Sequence, residues 1–235
     1  MSKFRVNSQR AKNAELLIIV SGVLSILSLI SNGLEYWLLH SVSNGANVTM
    51  EQANFNDMRQ LVIALVEILV FIFSAITFIQ WFRRAYYNQE TKFSFMATTN
   101  GWVSGAWFIP IYSLYRPFQL MKEIYQNLEE FLEKTALGES KRSRLQIVGW
   151  WWGLWVFANI SQNIVTRVSS RVDQVDSLMY LSFTSMIVDL IYIVLAFLTI
   201  KMIRNYNEME LILLSTSDDV EYNTSKSDQL LDSNM

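Results

Sequence analysis

Four long apolar runs, each closed by polar or charged residues, divide the chain at 17–39, 61–82, 147–166 and 178–200. A helix rises about 1.5 Å per residue, so about 20 apolar residues cross a hydrocarbon core of roughly 30 Å. The pattern predicts an all-α integral membrane protein. Four transmembrane helices form a four-helix bundle over residues 16–204, behind a cytoplasmic tail over 1–15. A fifth apolar stretch, 101–115, is shorter: fifteen residues cover only about 22 Å as a helix, and Pro110 interrupts them.

Charge decides whether that fifth stretch crosses. Lys3, Arg5, Arg10 and Lys12 precede the first run and no A-x-A site follows it, so it reads as a retained signal anchor with the N-terminus inside. Four spans then leave only Arg59, Arg167 and Arg171 outside, whereas five would place nine of the 19 Lys and Arg residues inside and ten outside. The positive-inside rule selects four spans with both termini cytoplasmic. Residues 101–115 thus begin and end on the cytoplasmic side, as a re-entrant hairpin or as a segment lying in the interface. Gly101 and Gly105 form a G-x-x-x-G pair that admits a close helix, and Pro110 keeps Ile109 out of the helical region, which fits a broken element covered by the bundle. Trp102, Trp107, Tyr112 and Tyr115 fit an interfacial anchor equally well.

From Pro117 the period changes. Met121, Ile124, Tyr125, Leu128, Phe131 and Leu132 recur at three- and four-residue spacing, with Lys122, Glu123, Gln126, Glu129, Glu130, Glu133 and Lys134 opposite and Gly138 as a stop. This predicts a cytoplasmic amphipathic helix over 117–137. It rests on headgroups, folds against the bundle, or offers a surface to a protein partner. Residues 215–235 are acidic and poor in core-forming side chains, and predict a disordered cytoplasmic tail.

WFRRAYYN (81–88), GWVSGAWFIPIYSLYRPFQLMKEIY (101–125) and GWWWGLWVFANI (149–160), in this order, resemble the bacterial membrane family catalogued as domain of unknown function 4328 (DUF4328). The similarity runs over about 61–200. NQETKFSFMATTN (88–100) lacks the Pro and Gly of the corresponding family segment. The resemblance implies a multi-pass protein of the bacterial inner membrane and brings no activity with it. Its motif residues Trp81, Arg84, Tyr86, Trp107, Pro110, Arg116 and Pro117 are also the candidates for headgroup contact, because arginines beside aromatic residues suit lipid phosphates as well as ordinary positive-inside anchoring.

Each run also carries a polar line at helical spacing. Ser21, Ser25, Ser28, Asn32 and Glu35 lie on the first; Glu67, Ser74 and Thr77 on the second; Asn159, Gln162, Asn163 and Thr166 on the third; Ser182, Ser185, Asp189 and Tyr192 on the fourth. A charged side chain at mid-bilayer costs about 2.5–3.5 kcal/mol on an insertion scale, so Glu67 and Asp189 are expected to face inward. Glu35, Glu67, Asn159, Gln162, Asn163 and Asp189 are the candidate intramembrane cluster, with Arg167 one turn beyond as a neutralising cation. Two readings stand: a pathway for ions, protons or small solutes, and interhelical hydrogen bonding that merely holds the bundle together.

Composition narrows the chemistry. The chain has no Cys and a single His, His40, which excludes disulfides, thiolate catalysis and Cys- or His-cluster metal sites. It lacks G-x-S-x-G, H-E-x-x-H, P-loop and G-x-G-x-x-G motifs, and Asp173 with Asp176 is too small an acidic set for metal-dependent phosphotransfer. The sequence reading is of a non-enzymatic membrane scaffold or accessory protein. It needs no cofactor or metal, touches no nucleic acid, and has the bilayer and a possible protein partner at 117–137 as its contacts. The alternative is transport through a polar interior containing Glu67 and Asp189.

Overall fold

The computed structural model describes residues 4–93, 95–134, 142–169 and 174–232. Six α-helices occur among the described residues: α1 (Ser8–Ser43), α2 (Met50–Lys92), α3 (Asn100–Gly105), α4 (Arg116–Lys134), α5 (Arg142–Ser169) and α6 (Val175–Asp232), with a 3₁₀ turn at Tyr112–Leu114. α1 ends where Gly45 takes φ 84°. α2 starts on a reciprocal cap: the Gln52 N–H donates to Thr49 Oγ1 at 3.2 Å, and the Thr49 N–H to Gln52 Oε1 at 3.0 Å.

Among the described residues three helices are long and apolar enough to cross a membrane, over Ser8–Ser43, Met50–Lys92 and Val175–Ser215. Three of the four predicted runs lie in these helices. α5 contains the third run, but its tryptophans and its Asn and Gln residues lower its mean hydropathy. The helices also overrun the apolar runs, because no Gly or Pro lies between 46 and 100 or after 153 to stop them. For the same reason α6 continues to Asp232, where the sequence predicts a disordered tail. The expected stop at Gly138, Asp173 of the acidic pair and residues 233–235 of the tail lie outside the described residues.

The chain divides into two units, one of residues 12–79 and 149–201 and one of residues up to 11, 80–148 and from 202 onward. The first is built inside out relative to a soluble domain. Leu65, Ile68, Phe73, Phe157, Val194 and Phe197 are exposed, while Ser28, Ser31, Asn56, Ser74, Ser182, Asp189 and Thr199 are buried. That inversion is what a hydrocarbon solvent requires, because lipid tails are as apolar as leucine. α1 and α6 approach closely at Gly22, where a Cβ would lie 3.2 Å from Ala196 Cβ. The G-x-x-x-G pair does not serve this purpose: a Cβ at Gly101 would meet nothing within 4 Å, and one at Gly105 only the Trp102 ring.

The second unit has a core of the soluble type. Trp81, Phe82, Ala85 and Tyr86 of α2 are fully buried, as are Met121, Ile124, Tyr125 and Leu128 of α4 and Met202, Ile203, Tyr206 and Met209 of α6. Tyr206 packs edge-on to Trp81 at 5.6 Å, and the Tyr125 hydroxyl donates to the Met202 carbonyl. Of the three sequence options for α4, folding against its own chain is realised on the apolar face, which this core occupies. What remains open to a partner is the polar side.

A polar knot closes the same core. The Asn88 side chain accepts the Arg5 N–H at 3.1 Å and donates to the Arg5 carbonyl at 2.9 Å and to Glu210 Oε1 at 2.8 Å. Burial pushes the Glu210 carboxyl up to about 7, against the lowering effect of Asn88, Asn7 and Arg84. A carboxyl raised in the folded state costs nothing below its unfolded value of about 4.5, and its cost grows as pH climbs through about 7. We predict that the unfolding midpoint in detergent falls between pH 5 and 8, and that Glu210→Gln flattens this dependence; an equally steep profile in the variant would refute the assignment. Leu128→Ala, deleting a fully buried side chain, is expected to cost about 3 kcal/mol by denaturant titration.

Candidate functional site

The polar line of α1 follows a 4-3-4-3 spacing, Ser21, Ser25, Ser28, Asn32 and Glu35, which keeps one seam facing a neighbouring helix. Against it α2 presents Gln60, Glu67 and Ser74 at seven-residue intervals, and α6 presents Ser182 and Asp189 at the same interval. Three helices thus bring matched polar registers together. The contacts are specific. Asn32 Nδ2 donates to Asp189 Oδ2 at 2.7 Å, and Gln60 Nε2 to Glu35 Oε2 at 2.9 Å and Asn32 Oδ1 at 3.4 Å. Ser182 Oγ donates to the same Glu35 oxygen at 3.0 Å. Ser28, Glu67 and Asp189 lie close enough together for the two acids to feel each other's charge. Farther along, Ser21 and Ser74 share a hydrogen bond of 3.0 Å.

Glu35 and Asp189 therefore join one hydrogen-bond network with Glu67 near Asp189, and Asp189 is only 8% exposed. The α5 line stands apart. Asn159 Nδ2 donates to the Trp155 carbonyl at 2.8 Å and Asn163 Nδ2 to the Asn159 carbonyl at 2.7 Å, both within their own helix, while Gln162 and Asn163 are exposed. The expected six-residue cluster is corrected to three acids. The helical period was right for α5, but its polar face does not turn toward the other three lines.

Sequence reasoning missed the end of the seam. Arg59 Nη2 donates to Asn56 Oδ1 at 2.6 Å and to the Ser31 carbonyl at 3.1 Å, and its Nε donates to Ser31 Oγ at 2.9 Å. Asn56 Nδ2 in turn reaches Glu35 Oε1 at 3.5 Å. These residues precede the apolar run that begins at 61, so hydropathy alone passes over them. The seven-residue step from Ser74 through Glu67 reaches Gln60, next to Arg59, and was the signal that the seam continues past the apolar run.

The motif residues fall into two environments. Trp81 and Tyr86 are fully buried, which corrects their reading as headgroup contacts. Trp81 packs on Phe82 and Tyr206, and Tyr86 donates its hydroxyl to Glu123 Oε2 at 3.1 Å. Trp107 sits edge-on to Phe82 at 6.1 Å, Pro117 is buried at the start of α4, and Arg84 is half-buried. Burial, then the neighbouring charges of Arg10 and Arg5, pull the Arg84 guanidinium down from its usual value. Pro110, by contrast, belongs to an irregular, outward-facing segment, and Arg116 opens α4 half-buried just after it. α3 has only six residues, and Ile111 takes φ 66° and ψ −48° in a three-residue turn closed by the Tyr112 N–H on the Pro110 carbonyl at 2.7 Å. Positive φ is a strained state for a β-branched residue. Phe108, Ile111 and Leu114 stand 74%, 77% and 53% exposed around it, so the segment is not covered by protein.

A family model described as "Domain of unknown function (DUF4328)" matches residues 44–208. No curated protein and no solved structure matches the chain.

The two kinds of amide make a direct comparison. Asn32→Leu removes the donor to Asp189 and the acceptor for Gln60, and is expected to cost about 1–2 kcal/mol on unfolding in detergent. Asn163→Leu removes only a bond to its own helix and should stay within about 0.5 kcal/mol of wild type. Equal costs would mean that the seam is no more coupled than the exposed face of α5.

Proposed function

The chain belongs to the DUF4328 family, and we propose that it is a non-enzymatic integral membrane protein that passes protons or small monovalent cations along the seam of α1, α2 and α6. The observation that carries this reading is the hydrogen-bonded chain that links Glu35 to Asp189 through Gln60 and Asn32, with Glu67 near Asp189, all between apolar runs. Ionisable groups are expensive in hydrocarbon and mark ion routes when they persist there. The seam offers carboxylate, amide and hydroxyl oxygens, the hard ligands that small cations and protons exchange between. A scaffold working through the cytoplasmic connection and α4 is the second reading, and it has the polar side of α4 to offer, since the apolar face is spent on the chain's own core.

In this reading α5 completes a four-span topology, its 28 residues being about 42 Å long, with both termini in the cytoplasm of a bacterial cell. Exposed irregular backbone at 106–115 is incompatible with the hydrocarbon interior and is placed at headgroup level, where water satisfies it.

The test is flux. Full-length protein in sealed vesicles should dissipate an imposed proton, sodium or potassium gradient, and Asp189→Asn should slow this at least about tenfold while its thermal midpoint stays near that of wild type. Wild-type vesicles that hold all three gradients as tightly as protein-free vesicles would end the proposal.

A further inference from the structure

Two cavities open side by side on the unit that contains α4. One, of about 320 Å³, is lined by Thr98, Trp102, Ala106, Tyr112, Arg116 and Leu120. Its neighbour, of about 360 Å³, is lined by Glu90, Phe93, Met96 and Thr99, and again by Thr98 and Trp102. The shared wall makes them two halves of one groove, with a cation in one half and a carboxylate in the other.

The chemistry of each half is set by neighbours. Arg116 donates one N–H to Gln119 Oε1 at 3.1 Å and has no ion-pair partner among the described residues. Glu123 is committed elsewhere: it accepts the Ala97 N–H at 2.7 Å and the Tyr86 hydroxyl at 3.1 Å, while the Thr98 N–H donates to that hydroxyl at 3.1 Å. These bonds fix the strand of chain that forms the wall and leave the guanidinium free to meet an incoming anion. Trp102, on the divide, is 65% exposed, with its indole available to a ligand. Next to the groove stands the strained turn at Ile111, with the apolar side chains of Phe108, Ile109 and Leu114 exposed around it.

We propose that this groove holds the headgroup of a zwitterionic phospholipid, with the phosphate on Arg116 and the ammonium against Trp102 and Glu90. A guanidinium matches phosphate oxygens two at a time, and an indole face with a carboxylate nearby suits a primary ammonium. The apolar turn beside the groove favours a ligand that brings acyl chains over a free solute of the same charge pattern. This part rests on the placement of 106–115 at the interface, and the experiment separates the two.

Full-length protein in non-ionic detergent is titrated with dihexanoyl phosphatidylethanolamine, dihexanoyl phosphatidylglycerol and soluble phosphoethanolamine, with bound mass read by native mass spectrometry. The ethanolamine lipid is expected to bind about tenfold more tightly than the glycerol lipid, and Arg116→Gln and Glu90→Gln are each expected to weaken it about tenfold. Soluble phosphoethanolamine is expected not to bind over the same range. Equal affinity for the two lipids, or equal binding of the soluble compound, overturns the proposal. Trp102→Ala, at an exposed position, serves the same comparison if a charge variant fails to fold. The interfacial placement is read separately from a nitroxide on Ile111→Cys, the only thiol in the chain. A label in bulk water with lipid selectivity intact refutes the placement and leaves the groove standing. A label at headgroup depth without selectivity refutes the groove alone.

Discussion

Hydrocarbon offers no hydrogen-bond partner, and every polar group taken into it must find one within the protein. Much of this molecule follows from that constraint. It puts the backbone of the apolar runs into helices, turns the leucines and phenylalanines of the bundle segments outward, and leaves serine, asparagine and aspartate as the buried residues of that unit. The close approach of α1 and α6 at Gly22 serves the same end, because short side chains cannot bond across a wide gap. Where the apolar runs stop, the rule reverses: α4 and the ends of α2 and α6 bury Trp81, Tyr125, Leu128 and Met202 as a soluble domain would.

Much of this was legible from residue order. Runs of about 20 apolar residues and the 4-3-4-3 spacing of Ser21 to Glu35 depend on local periodicity, which sequence displays directly. The amphipathic period of α4 was equally plain. What covers its apolar face was not, since Tyr125 meets Met202 and Tyr206 more than seventy positions away, and single-helix patterns carry no information about partners. The same limit explains α5. Its polar line is real, yet Asn159 and Asn163 bond to their own helix, and rotation of a helix about its axis is fixed by packing.

The motif tryptophans show how one composition supports opposite roles. An aromatic belt and a buried aromatic core both place tryptophan beside a span end, and hydropathy cannot separate them. Trp150 is 74% exposed while Trp151 is 2% exposed and donates its indole N–H to Thr199 at 3.1 Å. Adjacent positions on a helix point about 100° apart, so a run of three must divide between the two roles.

Hydroxyls and carboxylates in the seam differ in whether they need another helix at all. Ser21, Ser25, Ser182 and Thr199 each donate to the carbonyl four residues back, at 3.0, 3.2, 3.1 and 2.7 Å. A serine can therefore sit in an apolar run at little cost and contribute packing alone. A carboxylate has no such recourse, because it is an acceptor facing a helix surface whose own N–H groups are already bonded. Asp189 takes its hydrogen bond from Asn32 on α1, and Glu35 takes three, from Asn56 and Gln60 on α2 and Ser182 on α6. Close packing of small residues and hydroxyls can hold membrane helices together without that desolvation cost. The serines are accounted for by adhesion; the acids are not, and that difference is the physical ground for assigning them a task.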